Sequence, residues 1–158
     1  MSILSYAGNL KTNGNTGALK QNAVASIEFD FSQTTWENDE SFKEYCNDGT
    51  YDERIKVSTL SFINAFNQNS KGLKLSDDVQ DVQYKVILRV YNFEQKQSGF
   101  GWGRFYIKVY GEILVQDAKT NETILTVVVK GISGNADYVQ TDRFKKSFTV
   151  LGEEITKL

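Results

Sequence analysis

The segment Tyr84–Ile132 decides the fold of this chain. It contains three stretches rich in Val, Ile, Tyr and Phe: YKVILRVYNF (84–93), RFYIKVYGEILVQD (104–117) and TILTVVVKGI (123–132). Apolar residues recur at every second position, which is typical of half-buried β-strands. The Gly-rich stretch SGFGWG (98–103) and the polar turn AKTNE (118–122) join them. We therefore expect an antiparallel meander of three strands.

The alternation gives this predicted meander two different faces. One face is apolar and should pack on the core. The other mixes charged side chains with tyrosines, Tyr91, Tyr106 and Tyr110. Tyrosines paired across strands stabilise a sheet by about 0.2–1 kcal/mol per pair, and they also suit a surface that binds a protein partner. The pattern is compatible with either role.

The tip between the first two strands alternates three glycines with two aromatic residues, Phe100 and Trp102. A GxGxG string can indicate a nucleotide-binding loop, but that motif needs a helix directly after the loop. Here another strand follows, so we exclude this interpretation. The two rings either fold back on the sheet or anchor a neighbouring subunit or partner.

The remaining elements are read from shorter patterns. AVASIEFDF (23–31) alternates as a strand, and two helices are expected at 40–46, capped by Asn38 or Asp39, and at 51–67. Residues 73–83 are expected to form a solvated polar connection. Thr141 is expected to cap a closing helix that runs to Leu158, with Gly152 letting it approach the sheet closely.

Together these elements predict one α+β domain over residues 23–158. Its fold class is a two-layer sandwich, with a mainly antiparallel four-stranded sheet and helices packed on one face. Residues 1–22 are expected to form an extended N-terminal arm. That arm is either loosely held or docks on a neighbouring subunit or a sheet edge.

Composition excludes several classes of function. The chain has no histidine and one cysteine, Cys46. This removes Ser-His-Asp and Cys-His catalysis, most zinc sites and any internal disulfide. The net charge of −2 gives no basic surface for nucleic acid, and no apolar run approaches the roughly 18 residues of a membrane span. We expect no cofactor, no metal and no catalytic residue.

Three quoted segments carry a resemblance to known proteins: YKVILRV (84–90), GEILVQDAKTNETIL (111–125) and LGEEITKL (151–158). Over roughly residues 23–158, the pattern resembles small gram-negative envelope proteins of unknown function. The element order looks like the β-α-β-β-β-α order of the curli-secretion and penicillin-binding-protein-activator lipoproteins. The resemblance implies a periplasmic or envelope location if a leader has been removed, and otherwise the cytoplasm or a virion.

These observations predict a non-enzymatic assembly or binding subunit that self-associates or binds a protein partner. The residues expected at its contact surface are Phe100, Trp102, Tyr106, Tyr110 and Tyr91. A structural protein of a phage virion or injection machine is the alternative. A carboxylate-dependent hydrolase, with Asp30 or Glu112 as candidates, is the second alternative, although we expect no carboxylate pair to converge from different elements.

Overall fold

The computed structural model describes residues 5–99 and 103–158, and for residues 5–7 we consider only the backbone pairing. Its helices are α1 (Phe42–Tyr45), α2 (Tyr51–Asn69) and α3 (Gln140–Ile155), and a 3₁₀ turn spans Thr16–Lys20. Its strands are β1 (Ser5–Ala7), β2 (Leu10–Gly14), β3 (Val24–Asp30), β4 (Thr35–Trp36), β5 (Glu40–Ser41), β6 (Lys74–Ser76), β7 (Tyr84–Gln97), β8 (Phe105–Asp117) and β9 (Thr123–Ser133).

The predicted α+β class is confirmed, whereas the predicted four-stranded, mainly antiparallel sheet is wrong. Over the described residues the strands form one mixed sheet in the order β1-β2-β9-β8-β7-β3-β6, and β4 pairs with both β7 and β5 outside this order. The predicted meander is its antiparallel centre. Strand β3 pairs parallel to β7 because α2, which lies between them in sequence, returns the chain to the same end of the sheet.

Helices α2 and α3 pack on one face of the sheet, here called the covered face. Phe144, Phe148, Leu151 and Ile155 form one stripe of α3, and each is at most 1% exposed. The Phe148 ring contacts Phe93 of β7 at 6.1 Å between centroids. This stripe is the helical repeat seen in the sequence, and its burial places the core between α3 and the sheet.

Gly152 belongs to the contact between the two long helices and not, as expected, to a contact with the sheet. A Cβ at this position would lie 2.7 Å from the Phe62 carbonyl oxygen and 3.0 Å from the Ala65 Cβ. Real Cβ atoms do not sit that close to backbone, so glycine lets α3 approach α2.

Several local predictions are wrong for identifiable reasons. Ser41, and not Asn38 or Asp39, caps α1, because its Oγ accepts a hydrogen bond from the Glu44 amide while residues 35–41 form the β4–β5 hairpin. Thr141 lies inside α3, which begins at Gln140. Residues 74–76 of the predicted polar connection form strand β6.

The first described residues belong to the sheet. Strand β2 pairs with β9 over five residues, and β1 pairs with β2. Of the interpretations that the sequence left open for this segment, residues 5–14 therefore show pairing at a sheet edge. The division of the chain at residue 22 remains a prediction.

Candidate interaction surface

The face of the sheet opposite the helices is here called the open face. It carries the side chains that alternate with the covered ones along β3, β7, β8, β9 and β2. At its centre Ile87 of β7 lies opposite Leu114 of β8, which lies opposite Thr126 of β9. All three are half-buried in the single chain. The open face therefore has a partly apolar centre, and both long helices pack on the other side.

One row of side chains crosses this face and is ionic. Arg89 donates from Nε to Asp30 Oδ2 at 3.0 Å and from Nη1 to Glu112 Oε1 at 2.9 Å. The expectation that no carboxylates converge from different elements is thus wrong, since Asp30 on β3 and Glu112 on β8 meet at one guanidinium. The pKa of Asp30 is lowered, first by hydrogen bonds from Ser32 and then by Arg89.

Of the three tyrosines predicted at the contact surface, Tyr91 is the exposed one. The register of β7 against β8 shifts between Val90 and Asn92, and this bulge leaves Tyr91 42% exposed. Asn92 beside it is buried, and its Oδ1 accepts hydrogen bonds from Thr35 Oγ1 and the Asn38 amide. The pKa of Tyr91 is raised, first by partial burial and then by the neighbouring Glu112 carboxylate.

Tyr110 has a structural explanation. Its hydroxyl donates to Glu94 Oε2 at 2.9 Å. Its ring lies against Gly131, where a Cβ would be 3.0 Å from the tyrosine hydroxyl. An aromatic ring packed over a strand glycine supports the sheet locally. Tyr106 is half-buried opposite Lys96, so neither ring is as available as Tyr91.

The other two predicted contact residues, Phe100 and Trp102, lie outside the described residues. The base of their hairpin is described: the Ser98 amide donates to the Arg104 carbonyl at 2.9 Å. The Arg104 guanidinium stacks 5.7 Å from the Tyr138 ring centroid. Tyr138 is 65% exposed and Val139 is 54% exposed. Sequence reasoning missed these two exposed residues, because it treated 133–140 only as a loop.

Arg143 of α3 holds the loop that contains Tyr138 and Val139. Its side chain is buried and donates to the backbone carbonyls of Asp137 and Tyr138, each at 2.8 Å. A third hydrogen bond, of 2.9 Å, goes to Gln95 Oε1 on β7. The guanidinium also lies 4.9 Å from the Phe105 ring centroid. Arg143 thus joins α3, the exposed loop and both strands of the hairpin.

The hydrogen bonds of Arg143 belong to a buried polar layer, which a second buried arginine, Arg54 of α2, continues. Its Nη1 donates to Cys46 Sγ at 3.1 Å, and its Nη2 donates to Gln140 Oε1. Gln140 in turn donates to the Tyr45 hydroxyl at 2.7 Å. Burial raises the pKa of the Cys46 thiol, and its sulfur accepts the hydrogen bond from Arg54 in the core. No sequence pattern pointed to this layer.

Comparisons with known proteins give a fold and no family. No protein-family model matches the sequence, and no curated protein matches it. Among solved structures, the PelC dodecamer from Paraburkholderia phytofirmans is similar over 96% of this chain and 98% of its own, with 11% identity and a TM-score of 0.51. This likeness shows a shared fold.

Two further likenesses are weaker and carry no argument. A variant of the same PelC dodecamer in another crystal form has 10% identity and a TM-score of 0.48 over 94% of this chain and 98% of that chain. A DUF330 protein from Xanthomonas campestris has 16% identity and a TM-score of 0.43 over 64% and 58%. Separately, no helix among the described residues is long and apolar enough to cross a membrane.

Proposed function

We propose that this chain is a non-enzymatic subunit that assembles with copies of itself. The exposed Tyr91 and the ionic row beside it form part of the contact between copies. Tyr106, Tyr110, Phe100 and Trp102 stay with Tyr91 as the proposed contact residues. The observation that carries this proposal is the open face, whose half-buried apolar centre lies on the side of the sheet away from both long helices.

The fold likeness supports self-association. The similar PelC structure is a dodecamer, which shows that a chain of this fold can self-associate. We favour an assembly in the bacterial envelope, because the element order of this chain resembles that of the curli-secretion proteins. A virion or injection-machine subunit remains the alternative, and it makes the same prediction about self-association.

The chemistry of the ionic row argues against the hydrolase alternative. Glycoside hydrolysis with two carboxyl groups needs one of them protonated near neutral pH, which requires a raised pKa. Asp30 instead has a lowered pKa, and both Asp30 and Glu112 bind the same guanidinium. The permanently charged Arg89 favours the ionised form of Asp30, so the row lacks the protonated carboxyl group that this hydrolysis needs.

Sedimentation velocity of the intact protein over a range of concentrations tests the proposal. We expect one discrete species larger than a monomer, with no signal for a continuous series of aggregates. A monomer at every concentration would remove the proposal. Turnover of a polysaccharide by the wild type, abolished by Glu112→Gln without loss of folding, would restore the hydrolase alternative.

A further inference from the structure

We infer that copies of this chain join edge to edge, with β1 of one copy adding as a parallel strand to the free part of β3 of the next. This inference rests on the proposed self-association and specifies its geometry. The occupant of the β3 edge is therefore a second copy of this chain, and main-chain pairing of two strand edges is added to the open-face residues that we propose for the contact.

The first observation is one transverse row of paired residues that runs across the sheet from β1 to β3. Residues paired in successive ladders follow one another from edge to edge, and the row reads Tyr6, Lys11, Val128, Glu112, Arg89, Asp30. Tyr6 is the middle residue of β1, and Asp30 is the last residue of β3. The two strands therefore lie at the same level on opposite sides of the molecule.

The second observation is the free segment of β3 at that level. Strand β6 pairs with β3 only over Val24–Ser26, so residues 27–30 have no strand on that side among the described residues. The Ala23 carbonyl accepts a hydrogen bond from the amide of Lys74 in β6, so the backbone groups of Ala23 point toward β6. Because alternate residues of a strand point their backbone groups the same way, Ile27 and Phe29 also direct N–H and C=O away from β7.

The third observation is space beside this free segment. A groove of about 530 Å³ runs along residues 28–32. Tyr51 and Ile55 of α2 form its wall on the covered side, and Ile87 and Arg89 lie on its open side. A strand seated here would set one group of side chains against the apolar wall and the alternate group beside the ionic row.

The strand directions agree with this placement. Strand β3 is parallel to β7, and successive antiparallel pairs through β8, β9 and β2 make β1 parallel to β7 as well. A neighbouring copy that continues the sheet with its covered face on the same side thus presents β1 parallel to β3. Unpaired edges readily add another strand.

The contact uses a different surface on each copy. Such a head-to-tail interface generates a ring when the rotation between copies closes. It also leaves no unpaired β1 or β3 edge in the closed form, which would explain why this chain keeps a free strand segment beside a groove.

Engineered cysteines test the register. The test uses Tyr6→Cys and Asp30→Cys in separate copies of the whole chain. The native Cys46 is only 3% exposed, so it should not compete for crosslinking. Neighbouring strands lie about 4.8 Å apart, which is within the Cα separation of a disulfide. Under mild oxidation we expect neither variant alone to form a dimer, an equimolar mixture to form disulfide-linked dimers, and the double variant to form longer ladders.

Glu28→Cys is the matched control, because it lies two residues from Asp30 on the same edge and face. Its Cα would be about 8 Å from the residue-6 Cα of the neighbour, beyond the reach of a disulfide. Dimers of Tyr6→Cys alone or of Asp30→Cys alone would overturn the head-to-tail arrangement. Faster crosslinking to Glu28→Cys than to Asp30→Cys would overturn the register.

Wild-type protein provides a measurement that needs no variant. Hydrogen exchange of the Phe29 amide should slow at least about tenfold in the assembled protein relative to a dilute monomer, because its N–H gains a strand partner. Unchanged exchange at Phe29 in a protein that does assemble would overturn this inference and leave the proposed self-association standing. A protein that is monomeric at all concentrations would remove both.

Discussion

Arg89 Nη1 lies 2.9 Å from Glu112 Oε1 on the adjacent strand of the open face. The same guanidinium binds Asp30 on the other side, so one arginine ties β8, β7 and β3 together across the sheet. Surface ion pairs taken singly contribute about 0–1 kcal/mol. The Arg89 ion pairs matter more for geometry than for stability, because they fix the side chains next to the free edge of β3.

The ionic row predicts a pH dependence of stability. The pKa of Asp30 is lowered below 3.8 in the folded protein, so ionised Asp30 stabilises the fold at neutral pH. That stabilisation is present above pH 3.8 and is lost as the pH falls through the folded pKa. Urea unfolding of wild type and Asp30→Asn should therefore differ most near pH 7 and converge at acidic pH. Glu122→Gln, in an exposed turn, controls for the loss of one charge, and a constant difference at every pH would contradict the assignment.

Arg143→Met should destabilise the protein by about 1–3 kcal/mol, since it leaves the Asp137 and Tyr138 carbonyls and Gln95 Oε1 without their donor. Hydrogen exchange should also speed up in residues 134–139. Lys145→Met on the exposed side of α3 is the control. Equal effects of the two substitutions would show that Arg143 does not hold the loop.

Gly152→Ala should destabilise the protein, although alanine is the better helix former by about 1 kcal/mol. The added methyl would meet the Phe62 carbonyl at 2.7 Å, and overpacking of this kind costs about 1–3 kcal/mol. Lys145→Ala on the same helix is the control. A rise in melting temperature for Gly152→Ala would mean that the two helices can move apart at little cost.

Tyr91→Ala should weaken self-association by about tenfold or more, because exposed aromatic residues that become buried in a contact dominate its energy. Its effect on unfolding of the monomer should be small, since the side chain is 42% exposed. Leu60→Ala, which is 46% exposed on α2, is the matched control. Equal sedimentation of both variants and wild type would remove Tyr91 from the contact.

The long elements of this fold could be predicted from sequence because their periodicity extends over many residues. Strands β7, β8 and β9 span 11 to 14 residues each, and α3 keeps one apolar stripe along its length. Strands β4, β5 and β6 have two or three residues, which is too short for any period to appear. Their pairing depends on tertiary contacts that the local sequence does not encode.

The candidate surface could be predicted in part for the same reason. Alternation correctly placed Tyr91, Tyr106 and Tyr110 on the face opposite the core. It could not show that a β-bulge exposes Tyr91 while Tyr110 packs on Gly131. The convergence of Asp30 and Glu112 on Arg89 was also hidden, because it depends on the parallel pairing of β3 with β7.

The mass of the native assembly tests the central claim most directly. Native mass spectrometry of the intact wild-type chain should give one dominant mass that is an integer multiple, at least threefold, of 17.9 kDa. A closed head-to-tail assembly requires such a multiple. A spectrum that contains only the monomer at every protein concentration would contradict the account.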